Sequence, residues 1–192
     1  MIYLKNIYKI VGLTRFQSNS CYALVVLLVC PLFLLAQQWE YPVIKEYGGI
    51  NYSKAYTEPF DAEQQYKLLF DITSAAEKGG VNRGLWRVAR TLNLMGACEV
   101  STTNIEIVVA LHGGATKLAL SDKAHQKLFQ QNNPNAQLME QLANNKVRFM
   151  VCSQAMVGRK YPLDELHPRV EAALSALTVV ANYQMQGYIL MP

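Results

Sequence analysis

Three residues able to do chemistry fall at the ends of apolar runs: Asp71 near the end of Tyr66–Ile72, His112 after Ile105–Leu111, and Cys152 after Val147–Val151. A thiol, an imidazole and a carboxylate suit nucleophilic or group-transfer chemistry, because the imidazole can take the thiol proton while the carboxylate orients the ring. Cys152 is the centre of this reading. Its thiolate would be favoured beside a helix amino terminus, and a turn of helix beginning at Ser153 would supply one. Arg159, about two turns further on, would add a positive neighbour. His112 is the expected helper and Asp71 the residue that orients it, while Thr73, Gly113, Gly114, Ser153 and Gln154 form the lining. Each also has a plainer reading. Cys152 can be a buried strand-end thiol, His112 a structural histidine, and Asp71 the cap of the following loop.

The elements that must position these residues follow from periodicity. Tyr66–Ile72, Ile105–Leu111 and Val147–Val151 read as buried strands, Val170–Leu174 as a weaker one and Tyr188–Met191 as the last. Arg83–Met95 places Leu85, Val88, Ala89, Leu92 and Met95 on one helical face and is expected to stop at Gly96. Two shorter helical pieces are opened by Ser121-Asp122 and by Asn133-Pro134, and Ala176–Gln186 reads as the last helix, ended by Gly187. Strands alternating with helices predict right-handed crossovers and a three-layer α/β/α fold with a mainly parallel five-stranded sheet, covered on both faces. Parallel strands share one carboxyl edge, where α/β proteins bind ligands. Asp71-Ile72-Thr73, His112-Gly113-Gly114 and Cys152-Ser153-Gln154 are therefore expected to converge.

The amino terminus reads differently from the rest. Residues 1–36 have the pattern of an export signal: Lys5, Lys9 and Arg15, then an apolar run from Cys21 to Leu35, then Ala36 before Gln37. The run is about 16 residues and contains Pro31, short of the roughly 20 that a spanning helix needs. Membrane attachment is thus expected only if this segment is kept as an anchor, and the expected location is periplasmic. Its removal takes three of the 18 basic residues and none of the 14 acidic ones, leaving a nearly neutral 15 against 14. Residues 37–64 form an irregular arm whose six aromatic residues should pack on the domain, residues 65–192, or on a neighbouring subunit.

Several function classes are disfavoured. There is no basic stripe with interleaved aromatics, so nucleic acid is not an expected partner. Glu77-Lys78-Gly79-Gly80 lacks the spacing of a phosphate or dinucleotide loop. No metal or cofactor is expected, because His112, His125, His167 and the two cysteines beyond the signal show no paired ligand spacing. His125 and His167 read as surface residues, and Arg83, Arg87 and Arg90 as a solvated basic edge. Trp86 lies off the apolar face of its helix and reads as a candidate subunit contact. Cys98 lies before the entrance to the second strand and Cys152 at the exit of the third. They should be separated by about 15–20 Å of strand, more than the roughly 4.4–6.8 Å a disulfide spans. Two free thiols are expected, with Cys98 structural.

Taken in order, Lys67-Leu68-Leu69-Phe70-Asp71-Ile72-Thr73, Leu92-Asn93-Leu94, Val108-Val109-Ala110-Leu111-His112-Gly113, Asn133-Pro134, Val151-Cys152-Ser153-Gln154-Ala155-Met156 and Gln186-Gly187-Tyr188 resemble the DsrE/DsrF-like family of sulfur-relay proteins. The resemblance implies a small α/β/α domain, homo- or hetero-oligomers, often trimers or hexamers, with a homo-oligomer expected here, and a cysteine that can carry sulfane sulfur as a persulfide. Cys152 stands where that cysteine falls. A sulfur carrier needs a donor and an acceptor, either a protein or a small sulfur compound. An alternative is a small-ligand-binding or assembly module on the same framework in which Cys152 only packs. A thiol-dependent hydrolase using Cys152, His112 and Asp71 lacks a visible nucleophile elbow.

Overall fold

The structure, a computed structural model, describes residues 39–192, so the proposed export signal lies outside the described residues. The elements run β1 (Tyr66–Ile72), β2 (Glu77–Lys78), β3 (Val81–Asn82), α1 (Arg83–Ala97), β4 (Ile105–Leu111), a 3-10 segment (Gly113–Ala119), α2 (Asp122–Phe129), α3 (Ala136–Asn144), β5 (Val147–Cys152), α4 (Ser153–Gly158), β6 (Val170–Ala173), α5 (Ala176–Met185) and β7 (Ile189–Met191). The main sheet has the order β6-β5-β4-β1-β7, and every neighbouring pair in it is parallel. This is the α/β class that strand–helix alternation predicts.

The two faces of the sheet are covered unequally. On one, Leu68, Phe70, Ile72, Ile107, Val109, Leu111, Phe149 and Val151 form the large core beneath α1 and α3. Among the described residues the other face holds a small cluster, Leu69, Val108 and Ala110, packed against Val179 of α5. Period-2 alternation grades this second face from one end to the other. Near their starts the strands carry Lys67, Glu106, Arg148 and Glu171 on this face, then Leu69, Val108 and Met150, and at their ends Asp71, His112 and Cys152; the strands are staggered, with Arg148 opposite Val108 and Asp71 opposite Ala110. The charged end is satisfied locally. Arg148 pairs with Glu171 at 3.1 Å, and Tyr188 donates its hydroxyl to Glu106 at 2.6 Å. Burial, then that carboxylate, pushes the Tyr188 phenol up to about 12.

Local signals misplace several features. Gly96 does not stop α1, which continues to Ala97, and the reversal falls at Glu99 with φ 60°. Glycine is needed at 96 because a Cβ there would sit 2.4 Å from Val43 Cγ2. Asn133-Pro134 does not open α3 either, since Asn135 is the residue before its first turn. The Asn133 side chain instead donates to the carbonyls of Leu118 and Leu120, joining the 3-10 segment to the start of α3. His125 and His167 are buried rather than on the surface, at 2% and 5% exposure. His125 Nδ1 bonds the Gln131 carbonyl at 3.1 Å and its ring packs on Phe129. Burial holds the His167 imidazole below its usual range, and its Nδ1 accepts the Arg169 N–H at 3.2 Å. Gly79-Gly80, with φ values of 60° and 79°, turn the β2–β3 hairpin.

A buried side chain of α1 ties down the aromatic arm. Asn93, fully buried in α1, accepts the N–H groups of Val43 and Ile44 on Oδ1. Its amide hydrogens go to the carbonyls of Ile44, Tyr47 and Gly48. The arm thus comes so close to the helix that a Cβ at Gly48 would lie 2.2 Å from the Arg90 nitrogen. Asn93→Ala leaves buried backbone groups unpaired and is expected to cost about 2–4 kcal/mol. A thermal melt should show this as a loss of roughly 5–15 °C, and limited proteolysis should cut first within residues 39–60.

Candidate functional site

Asp71, His112 and Cys152 share one face and one edge because their strands are parallel and in register. Asp71 pairs with Ala110, two residues before His112, and Leu111 pairs with Val151, one residue before both His112 and Cys152. His112 Nε2 lies 2.7 Å from Asp71 Oδ1, with both side chains partly exposed. Gly113 and Gly114 make that closure sterically feasible. At Gly113, φ 53°, a Cβ would stand 2.9 Å from the Thr73 carbonyl oxygen, and at Gly114 2.9 Å from the Ala75 nitrogen. The loop after β4 therefore folds directly onto the loop after β1, where Ala115 N–H donates to Thr73 O at 3.2 Å. The two glycines serve this approach. Thr73 also lines a neighbouring cleft of about 260 Å³ with Asp71, Ser74, Arg83 and Arg87.

Cys152 ends β5, is 7% exposed and immediately precedes α4. Its sulfur lies 3.9 Å from Ser175 Oγ. Burial pushes the thiol up, but the amides of Ala176, Ala155 and Gln154, with the Ser175 hydroxyl, push it down further, so its pKa lies below that of an ordinary thiol. The helix starts of α4 and α5 meet at this one sulfur, each presenting N–H groups that carry partial positive charge. Ser153 and Gln154 hold the arrangement together. Ser153 Oγ donates to the Ala173 carbonyl at 2.7 Å and Gln154 Nε2 to that of Leu174 at 3.3 Å, which fixes the β6–α5 loop against β5.

Of the residues singled out in the sequence, Asp71, His112, Cys152, Ser153 and Gln154 come together on this edge. Arg159 follows α4, at the end opposite Cys152. A six-residue helix puts it about 9 Å along the axis. His112 and Cys152 follow neighbouring strands spaced about 4.8 Å apart. Yet the imidazole bonds Asp71 while the thiol bonds Ser175. Ser175 is the functional candidate that the sequence reading missed. Its position just before a helical run is a capping signal, and its hydroxyl does accept the Leu177 N–H. Nothing local says that it ends beside Cys152, 23 residues earlier. Cys98 and Cys152 are both free thiols. Among the described residues no three His, Cys, Asp or Glu side chains are grouped to hold a metal ion, and no helix is long and apolar enough to cross a membrane.

The pH dependence of alkylation tests this electrostatic picture. The labelling midpoint of Cys152, followed on its own peptide by mass spectrometry, should fall below the roughly 8.5 of a free thiol. Removing the hydroxyl in Ser175→Ala should move the midpoint upward and slow labelling at neutral pH by about two- to tenfold.

Comparison with known proteins gives the family and the fold. No protein with a curated description matches the sequence. The structure of a protein of unknown function, MTH1491 from Methanobacterium thermoautotrophicum, is 20% identical, covering 66% of this chain and 98% of that one with a TM-score of 0.52, and shares the fold. The ychN protein from E. coli is also 20% identical, covering 66% of this chain and 96% of that one, with a TM-score of 0.45. A family profile, that of the DsrE/DsrF-like family, matches residues 55–192, nearly all of the described chain. The chain therefore belongs to the DsrE/DsrF-like family.

Proposed function

We propose that this protein is an exported sulfur carrier that holds sulfane sulfur as a persulfide on Cys152. Family membership supports a sulfur-relay type of function at the level of the family. The observation that carries the finer reading is the Cys152 sulfur set among the amides of Ala176, Ala155 and Gln154, which favour its anionic form. In loading, the thiolate attacks the outer sulfur of a donor persulfide, the donor S–S bond breaks, and the donor leaves as a thiolate. Charge and sulfur count balance with no external oxidant, and the amides that favour Cys–S⁻ also favour Cys–S–S⁻. In this reading the Asp71–His112 pair takes and returns protons for the incoming and leaving thiols at the same edge. Ser153 and Gln154 are positioning residues that keep the α5 start on the sulfur.

Work as a homo-oligomer belongs to the same proposal. It is supported by apolar side chains left in the open: Leu174 and Leu177 flank Ser175, while Met185, Ile189 and Leu190 continue along α5 and β7. Exposed apolar area of this kind marks protein contacts.

Incubation with a sulfane-sulfur donor should add about 32 Da to the Cys152 peptide, the mass of one sulfur replacing none of the thiol chemistry of Cys98. Cys152→Ala should abolish the adduct. If Cys152 alkylates readily yet never takes up sulfur, the carrier reading fails and a binding or assembly module remains. His112→Gln should slow loading about 10- to 100-fold, while the alkylation midpoint of Cys152 stays in place, because the amides rather than the imidazole set it.

A further inference from the structure

A second site lies away from the thiol, on the outer side of α1. Arg83, Arg87 and Arg90 follow one another by four and three residues, so they share one helical face. Lys78, from the β2–β3 hairpin, joins them in a groove of about 480 Å³ whose other lining residues are Glu77 and Trp86. Four cations thus line the groove with one acidic side chain, Glu77, in a described chain whose basic and acidic residues otherwise nearly balance. Among the described residues none of the four pairs with an acidic side chain, and the nearby Asp71 carboxylate is taken by His112.

The groove is built rather than merely charged. Trp86 holds two of the cations: Lys78 Nζ is 3.7 Å from the centroid of its ring and the Arg90 guanidinium carbon 4.2 Å. Arg90 is held again by the Gly49 carbonyl, which accepts from Nε at 3.1 Å and Nη2 at 2.8 Å, and it reaches the Trp39 ring at 5.6 Å. Arg87 donates one N–H to the main-chain oxygen of Pro192 and keeps the rest of its fork for a further acceptor. Immobilised cations lose little entropy on meeting an anion. Like charges crowded at i, i+4 also cost helix stability, a cost that a bound anion removes. Trp86 already has two cations at its ring, so the chemistry on offer is that of a compact anion more than of a nucleobase.

We infer that the Lys78–Arg83–Arg87–Arg90 groove is a binding site for a small oxyanion of at least two negative charges, of the sulfate, thiosulfate or phosphate type. Guanidinium forks match two oxygens of such an anion at once. The site is separate from Cys152 and does not depend on the persulfide reading.

Trp86 reports on occupancy. Full-length protein at low ionic strength should show a saturable change in tryptophan fluorescence with sodium sulfate, thiosulfate or phosphate. Chloride at matched ionic strength should leave the signal unchanged. The double variant Arg83→Gln, Arg87→Gln should weaken binding at least about tenfold, while Lys127→Gln, whose ammonium pairs with Glu165 elsewhere, should not. The inference is overturned if none of the three anions gives a saturable response up to about 10 mM, a free energy near −3 kcal/mol. It is equally overturned if chloride reproduces the response or the double variant binds as well as the parent.

Discussion

The parallel register of β1, β4 and β5 is the constraint on which the rest depends. In a parallel pair the residues that stand opposite point to the same side, so one register decides which side chains share a face. Asp71, His112 and Cys152 lie at the carboxyl ends of their strands on the face that α5 covers, while Ile72, Leu111 and Val151 point into the large core. A slip of one residue in β5 would send Cys152 into that core and bring Val151 to the edge. The buried faces of Phe149 and Val151 oppose such a slip by burying apolar area on the correct side.

Unequal covering of the sheet explains why the site is where it is. The thick face, under α1 and α3, supplies the stability, and the thin face, under α5, is the one along which polar groups can reach solvent. The thin face also lets the start of α5 come down over the edge, where Ala176 N–H meets the thiol. Two opposing effects then act on one sulfur. Burial alone would keep it protonated, but converging amides outweigh that cost because they are fixed before any charge appears. Ser153 and Gln154 hold the donors in place through the Ala173 and Leu174 carbonyls.

The arm and the basic groove show how much α1 does beyond filling the core. Its inner stripe of Leu85, Val88, Leu92 and Met95 is buried beneath the sheet's main face. Asn93, on the flank, carries the arm, and Trp86 with Arg90 carries the hairpin and the Gly49 turn. A single helix thereby joins two segments, the arm and the hairpin, whose own sequences have no sustained period. Short-range patterns could not pair the arm with the helix, because the partners are 41 to 50 residues apart.

What the sequence by itself determined was local: the strands, from apolar runs; α1, α2 and α5, from periodicity and caps; and Cys152 at a strand end beside the start of a helix. Those features rest on interactions within a few residues, so the chain carries them wherever it goes. Tertiary structure alone decided the partners. It gave His112 to Asp71, left Arg159 at the far end of α4, buried His125 and His167, and brought Ser175 and Ala176 to the Cys152 sulfur. The reason is one of distance along the chain. The charge state of the thiol depends on amides from a helix more than twenty residues away, and only sheet order and register set which helix start arrives there.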